Sequence, residues 1–480
     1  MSDKGRTPLV VAAATLVLFA SACSTGGGRR VDVNALLRND ATTSTSSSAA
    51  SASATSALAG DTATGNTTAP TAAAGTASTV KGKSATSVAG RATSAPVRIG
   101  FHLSKDLGAA YTALGAKNAP PDSTPYVRNL VNWINDHGGI AGRKIDPVFH
   151  LSNPLDGSFD AEGQATCTDF ADDNHVFAVI SGAVLPTIVT ADCLSKKHVP
   201  LIWDYHYVVD GQQWKQYLPY LYMPFSVNAD RMGFYVDVLA SGGYFDAGAR
   251  VAIVRYDLDQ HARFVANVLR PRLAAHHVNV VDEVALNHPD SAAQAADVGA
   301  QIGSAILRMR AERVDHVLFV PTGGAVPFLF MSASQAQGFK PRYAMNSLDI
   351  PYFVTDQAPA GQLHGALAVG WSPPSDVYPA QLPPPNDATK LCYQAAQNTS
   401  IARFCDALFF LKAAVERAGR FDAAALRTAV ESMGTSFQPV YSIADTFGPG
   451  RHDGASAARL VRFDDGCGCF NYTGPTIDIG

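Results

Sequence analysis

Five short stretches carry side chains that could recognise a small molecule. They are Ser-Gly-Ala-Val-Leu-Pro-Thr at 181–187, Asp-Tyr-His-Tyr at 204–207, Tyr-Asp-Leu-Asp-Gln at 256–260, Pro-Thr-Gly-Gly at 321–324 and Asn-Ser-Leu-Asp at 346–349. Each follows a short apolar run. Hydroxyls, amides and carboxylates exchange hydrogen bonds with a ligand, and tyrosine and histidine offer ring faces for stacking. This is binding chemistry. The patterns of catalysis are missing: there is no Gly-x-Ser-x-Gly elbow, no Gly-x-x-x-x-Gly-Lys-Ser/Thr loop and no His-Glu-x-x-His pair. His276 and His277 fall late in a helical stretch with no third ligand at metal spacing. Asp257-Leu258-Asp259 opens like a calcium loop but lacks the glycine and the closing glutamate, so it is expected to cap the next helix. No catalytic residue, metal or cofactor is expected.

Cysteine supplies a second kind of chemistry. Of seven cysteines, Cys23 follows the small residues Ala20-Ser21-Ala22, which close an apolar run at 9–20 behind Lys4 and Arg6. That layout is an export signal, and its apolar run is shorter than the ~20 residues of a membrane-spanning helix. Small residues before a cysteine resemble the lipobox of bacterial lipoproteins, although Ala20 stands where leucine is commonest. The resemblance implies cleavage after residue 22 and lipidation of Cys23. Six cysteines remain, an even number in an exported chain. Cys167 and Cys193 fall in successive helical stretches, 158–173 and 186–197, which a βαβ unit sets side by side, so a bridge between them is expected. Cys392 and Cys405 could pair locally. Cys467 and Cys469 would close a strained ring around Gly468, which leaves the connectivity of the last four open.

Residues 23–95 form a tether, and from 41 onward it is almost entirely Ala, Ser, Thr and Gly. Such a composition buries too little apolar surface to offset its ordering entropy. From 97 the chain becomes globular, and roughly 385 residues exceed the ~250–300 at which single cores divide, so two lobes are expected. Apolar runs at 97–103, 177–181, 199–203, 251–255, 278–284 and 314–320 read as strands. Helical stretches at 230–240, 259–276 and 292–312 alternate with them. This alternation predicts an α/β protein with parallel sheets buried on both faces. The formal charge of −4 gives no reason to invoke nucleic acid.

The stretch 124–150 is the most specific. Thr124 and Pro125 suit a helix start, and Val127, Leu130, Val131 and Ile134 make one apolar stripe. Gly138-Gly139 ends the helix, and a strand at 145–151 carries Pro147, which places it at a sheet edge. Asn132-Trp-Ile-Asn-Asp-His-Gly-Gly-Ile-Ala-Gly-Arg-Lys-Ile145 resembles the signature near the start of periplasmic ligand-binding proteins of the branched-chain amino-acid type, the substrate-binding proteins of ABC importers.

The resemblance covers about 97–465. It implies two doubly wound parallel-sheet lobes joined by a three-crossing hinge, the type I periplasmic-binding-protein fold. Lobe 1 would comprise 96–221 and 372–440, and lobe 2 would comprise 222–371 and 441–480. Ligands of open parallel sheets sit beyond the carboxyl ends of the strands. Thr187, Tyr205 and His206 are therefore expected to face Gln260, Thr322 and Asp349 across one cleft, with Tyr205 and His206 either touching ligand or covering the lobe interface. The family's carboxylate-gripping serines are matched here by Leu185 and Pro186. The implied ligand is thus a small molecule other than leucine, isoleucine or valine, with an apolar or ring-shaped body and at least one hydrogen-bond donor. The implied partners are an ABC permease and, through lipid, the outer face of a bacterial cell membrane. A sensory receptor module of the same fold is the alternative.

Overall fold

The computed structural model describes residues 95–480 apart from 114 and 184–186. Cys23 and the tether lie outside the described residues, as do Leu185 and Pro186.

Two sheets organise the chain. The first holds β1 (Val97–Ser104), β2 (Ile145–Ser152), β3 (Ala178–Ser181), β4 (Leu201–Trp203) and β5 (Leu221–Tyr222), in the order β2-β1-β3-β4-β5 and parallel throughout. The second begins with β6 (Arg250–Tyr256), β7 (Asn279–Leu286), β8 (His316–Phe319), β9 (Arg342–Asn346) and β10 (Leu367–Gly370). Their order, β7-β6-β8-β9-β10, repeats that of the first sheet. β3, β4 and β8 are buried along their whole length, as parallel strands covered on both faces must be. The second sheet is not wholly parallel. β11 (Ala457–Asp464) and β12 (Cys469–Asp478) form a hairpin that adds antiparallel to β10.

The helix Thr124–Asp136 buries Val127, Leu130, Val131 and Ile134 against β1 and β2. Its start differs from expectation: Ser123 is the residue before the first turn, and Asp122 Oδ1, not Thr124, accepts a terminal N–H, that of Thr124, at 2.8 Å. A short carboxylate two residues upstream reaches that N–H without bending the helix. Gly139 lies at φ +71°, its N–H donates to the Ile134 carbonyl at 2.8 Å, and a Cβ there would fall 2.0 Å from the Arg143 carbonyl oxygen. Only glycine fits. β2 is an edge strand, so Pro147 removes no donor that a further strand needs. Asp257 and Asp259 do not cap: the helix Asp259–Phe264 starts after Leu258 with no side-chain cap, and Asp257 pairs with Arg255 at 3.6 Å.

The chain passes between the sheets three times. It leaves β5 for the second sheet, returns after β10 to the helices Asp387–Ala396, Ala402–Ala418 and Ala423–Glu431 against β1, and ends in the β11–β12 hairpin. The crossings are tied together. The Met223 N–H donates to His452 O at 3.0 Å, the Ile443 N–H donates to Trp371 O at 2.9 Å, and buried Asp453 accepts the Asn228 N–H at 2.7 Å. Sulfurs of Cys167 and Cys193 are bonded on one face of the first sheet and those of Cys392 and Cys405 on the other, and those of Cys467 and Cys469 are bonded in the β11–β12 turn.

Candidate functional site

The carboxyl ends of both parallel sheets converge on one interlobe surface, and the lobes touch across it. The Phe159 N–H donates to Asp290 O and the Ser158 hydroxyl to Asp290 Oδ1, both at 2.8 Å. The Lys117 N–H donates to Gln357 Oε1 at 2.6 Å, and Tyr207 pairs through its backbone with Thr322.

On the lobe 1 side, His102 at the end of β1 is buried between two serines. Its Nε2 lies 2.5 Å from Ser152 Oγ and its Nδ1 lies 3.1 Å from Ser181 Oγ. Burial lowers the His102 pKa to about 3, so the ring is neutral, one nitrogen donating and the other accepting. A crevice of about 20 Å³ opens beside it, lined by Ser152, Asp156, Glu162, Thr187 and Thr190 among others. That volume suits about one water. Thr187 immediately precedes the helix Ile188–Lys196, and the buried Oγ1 atoms of Thr187 and Thr190 have no hydrogen-bond partner among the described residues. Gly163 makes the room they occupy: a Cβ there would sit 2.7 Å from Thr187 Oγ1 and 2.9 Å from Thr190 Oγ1.

The stretch after β4 is a strap between the lobes rather than an open loop. Asp204 lies 3.0 Å from His206 Nε2 and 3.0 Å from Arg403 Nη1. Burial alone would raise its pKa, yet His206 and Arg403 hold its carboxyl below the usual range. Tyr205 stacks on Trp203 at 4.0 Å and meets Tyr207 at 4.9 Å. Tyr207 continues the column to Tyr256 of the second sheet at 6.0 Å, and touches His261 at 6.0 Å and His288 at 5.7 Å. Val208 is fully buried in the second lobe, the Ala229 N–H donates to Val209 O at 3.0 Å, and Asp210 pairs with Arg263. Bulky apolar residues follow Asp204 in sequence, and the chain buries them by reaching across.

On the lobe 2 side, Thr322 is buried, with its Oγ1 unpartnered and its N–H donating to Asp349 Oδ1 at 3.2 Å. Asp349 also accepts the Asn346 N–H at 3.1 Å. Burial raises its pKa to about 7 against these two hydrogen bonds. Asp349 therefore fastens two loops of its own lobe together. Gln260 is buried in the first turn of the helix Asp259–Phe264, next to His261. His261 is wholly buried, neither ring nitrogen has a hydrogen-bond partner among the described residues, and burial lowers its pKa to about 3.

The structure thus brings Tyr205, His206 and Thr322 to one seam; a Cβ on Gly323 would lie 3.6 Å from that of His206. Thr187 belongs to the crevice beside His102, and Asp349 sits behind Thr322. Sequence reasoning missed His102, Arg403, His261 and His288. His102 was hidden within an apolar strand and Arg403 within a helix remote in sequence. His261 immediately follows Gln260, so its place at the seam was within reach.

Comparison with known proteins places this architecture. The sequence model of the periplasmic binding protein family matches residues 121–467. No curated protein sequence matches the chain. Among solved structures, the chain is similar to an ABC transporter substrate-binding protein of Desulfitobacterium hafniense in complex with leucine. The two share 16% identity at a TM-score of 0.54, covering 79% of this chain and 100% of that one. It is similar to the branched-chain amino acid transporter substrate-binding protein of Streptococcus pneumoniae in complex with isoleucine, at 16% identity and a TM-score of 0.56, covering 80% and 99%. It is also similar to a solute-binding protein of an ABC transporter from Rhodopseudomonas palustris in complex with 3,4-dihydroxybenzoic acid, at 14% identity and a TM-score of 0.58, covering 80% and 98%. With two sheets whose first five strands share one order, and a three-crossing hinge, this chain belongs to the periplasmic binding protein family, whose members bind ligands rather than transform them.

Proposed function

We propose that this chain is an extracytoplasmic solute-binding lipoprotein. Cys23 holds it to the outer face of a bacterial membrane, and it captures a small molecule between its lobes and delivers it to an ABC importer. The lobes are read as 96–221 with 372–440, and 222–371 with 441–480. The observation that carries the reading is the interlobe seam, with the rings of Tyr205 and Tyr207 between the sheets and the buried Thr322 hydroxyl unpartnered among the described residues; the Thr187 and Thr190 hydroxyls line the crevice beside His102 on the first-lobe side. Ligand that touches both lobes favours the closed arrangement and so shifts the population toward it.

The same residues argue for the ligand class. A free amino acid needs a carboxylate to meet its ammonium group, since an unpaired buried charge is costly. Asp204 is ion-paired with His206 and Arg403, and Asp349 accepts two backbone N–H groups. Asp156 and Glu162 line the Thr187 crevice, Glu162 lying 2.9 Å from His150 Nε2, whereas at the Tyr205–Thr322 seam a neutral hydroxyl and ring faces remain. We therefore read Thr187, Tyr205, His206, Gln260 and Thr322 as the ligand-facing set, with Asp349 in support, for a molecule with an apolar or ring-shaped body and at least one donor. Its ring would take over the stacking contact between Tyr205 and Tyr207 as the strap parts.

A thermal-shift screen of the purified chain with aromatic acids, amides, sugars and amino acids tests this. A ligand at a hundred times its Kd adds about 2.7 kcal/mol to stability, and a ring-bearing donor is expected to give the shift. Saturable stabilisation by leucine, isoleucine or valine alone would overturn the ligand class.

A further inference from the structure

We propose that the Cys467–Cys469 pair is a thiol–disulfide exchange site that accepts two electrons from a dithiol, apart from the ligand seam. The bonded pair lies in the turn of the β11–β12 hairpin, where Asp464 stands opposite Cys469 and Phe463 opposite Phe470. Cys467 is exposed, and Cys469 is buried. The other two disulfides, Cys167–Cys193 and Cys392–Cys405, are built from buried residues within the two apolar cores that flank the first sheet. Among the described residues, one bridge of three is open to an attacking thiolate.

Three features fit the exposed pair to reversible opening. Only Gly468 separates the cysteines, so this bridge closes the shortest loop and restrains the least chain entropy. The hairpin does not depend on it, because the ladder continues to Asp464 and Cys469 and the buried Phe463 and Phe470 rings meet at 5.4 Å just behind the turn. A Cβ on Gly468 would meet nothing within 4 Å, so the turn has space to relax. The third feature is Asn471, whose Nδ2 lies 3.5 Å from Cys467 Sγ and 3.6 Å from Cys469 Sγ, a donor placed to serve either sulfur as a thiolate.

A donor thiolate attacks the exposed Cys467 Sγ, and the Cys467–Cys469 bond breaks. Its electron pair leaves on Cys469 Sγ, which takes a proton from water. The donor's second thiol then attacks its own sulfur in the mixed disulfide and releases Cys467 as the thiolate, which is protonated in turn. The donor leaves oxidised by two electrons, and the protein pair is reduced by two.

Equilibrating the full chain in glutathione buffers of graded ratio, followed by acid quench, alkylation and peptide mapping, tests the proposal. The Cys467–Cys469 pair is expected to be reduced at glutathione ratios that leave both buried bridges oxidised, because opening a buried bridge disturbs a packed core and opening this one does not. The far-UV circular dichroism should not change. Reduction of this pair only together with the buried bridges, or with loss of that signal, would overturn the proposal. Cys469→Ser leaves Cys467 alone, and a glutathione adduct on it is expected; no adduct would refute Cys467 as the attacked sulfur.

Discussion

Replacing Tyr207 by alanine should loosen the two lobes. The ring is buried and contacts Tyr205 on one side and Tyr256, His261 and His288 on the other, at centroid distances between 4.9 and 6.0 Å. An aromatic pair contributes about 0.5–1.5 kcal/mol beyond area burial, and removing a buried aromatic side chain costs about 3–5 kcal/mol in total. Only Tyr205 among these four partners belongs to the first lobe, so Tyr207→Ala cuts the column at the seam. About 1–2 kcal/mol of the loss should therefore fall on the lobe contact, a five- to thirtyfold rise in the open population. Urea denaturation measures the total, and small-angle scattering of the ligand-free chain measures the opening. Tyr207→Phe keeps the ring and should cost less than about 1 kcal/mol. A Tyr207→Ala protein with unchanged midpoint and unchanged radius of gyration would refute the strap as a link between lobes.

Other outcomes follow from single contacts. Arg403→Met leaves buried Asp204 with His206 alone and should cost about 2–3 kcal/mol in urea denaturation, below the 3–5 of a fully buried pair because 24% of the Arg403 side chain is exposed. His102 has a folded pKa of about 3 against an unfolded value near 6.5, so the unfolded chain binds the extra proton between them. Its contribution is present above about pH 6.5 and is lost as pH falls toward 3, and His102→Gln should flatten that part of the stability profile by on the order of 4 kcal/mol. Opening Cys167–Cys193 by double alanine substitution should cost about 3 kcal/mol by thermal denaturation, given a separation of 26 residues. Cys23→Ala should move the protein from the membrane fraction to the soluble fraction, and retention on the membrane would refute the anchor.

Much of the fold was legible because the strands are short, apolar and evenly separated by helical stretches, and because Gly138-Gly139 and Pro147 have single physical meanings. The β11–β12 hairpin was not legible. Its strands alternate weakly, and β12 carries Gly474 and Pro475, which read as turn residues. Exact caps were missed where a neighbour two residues away served equally well, as Asp122 does for Thr124. In the site, loops could be placed from the strand ends, but side-chain pairing could not. Asp204 finds Arg403 some two hundred residues later, and Asp349 turns inward to backbone N–H groups of its own lobe. Sequence shows that a carboxylate is present, and only the fold shows that its oxygens are already bonded.

The central claim is that a small ring-bearing molecule binds at the seam between the lobes. Isothermal calorimetry of the purified chain tests it most directly, set against Tyr205→Ala and Thr187→Val. Saturable binding of an aromatic or other ring-shaped donor is expected. That binding should weaken about five- to hundredfold in Tyr205→Ala, from the roughly 1–3 kcal/mol of a lost stacking contact, and also weaken in Thr187→Val. Tight binding of leucine, isoleucine or valine, or an affinity unchanged in both variants, would contradict it.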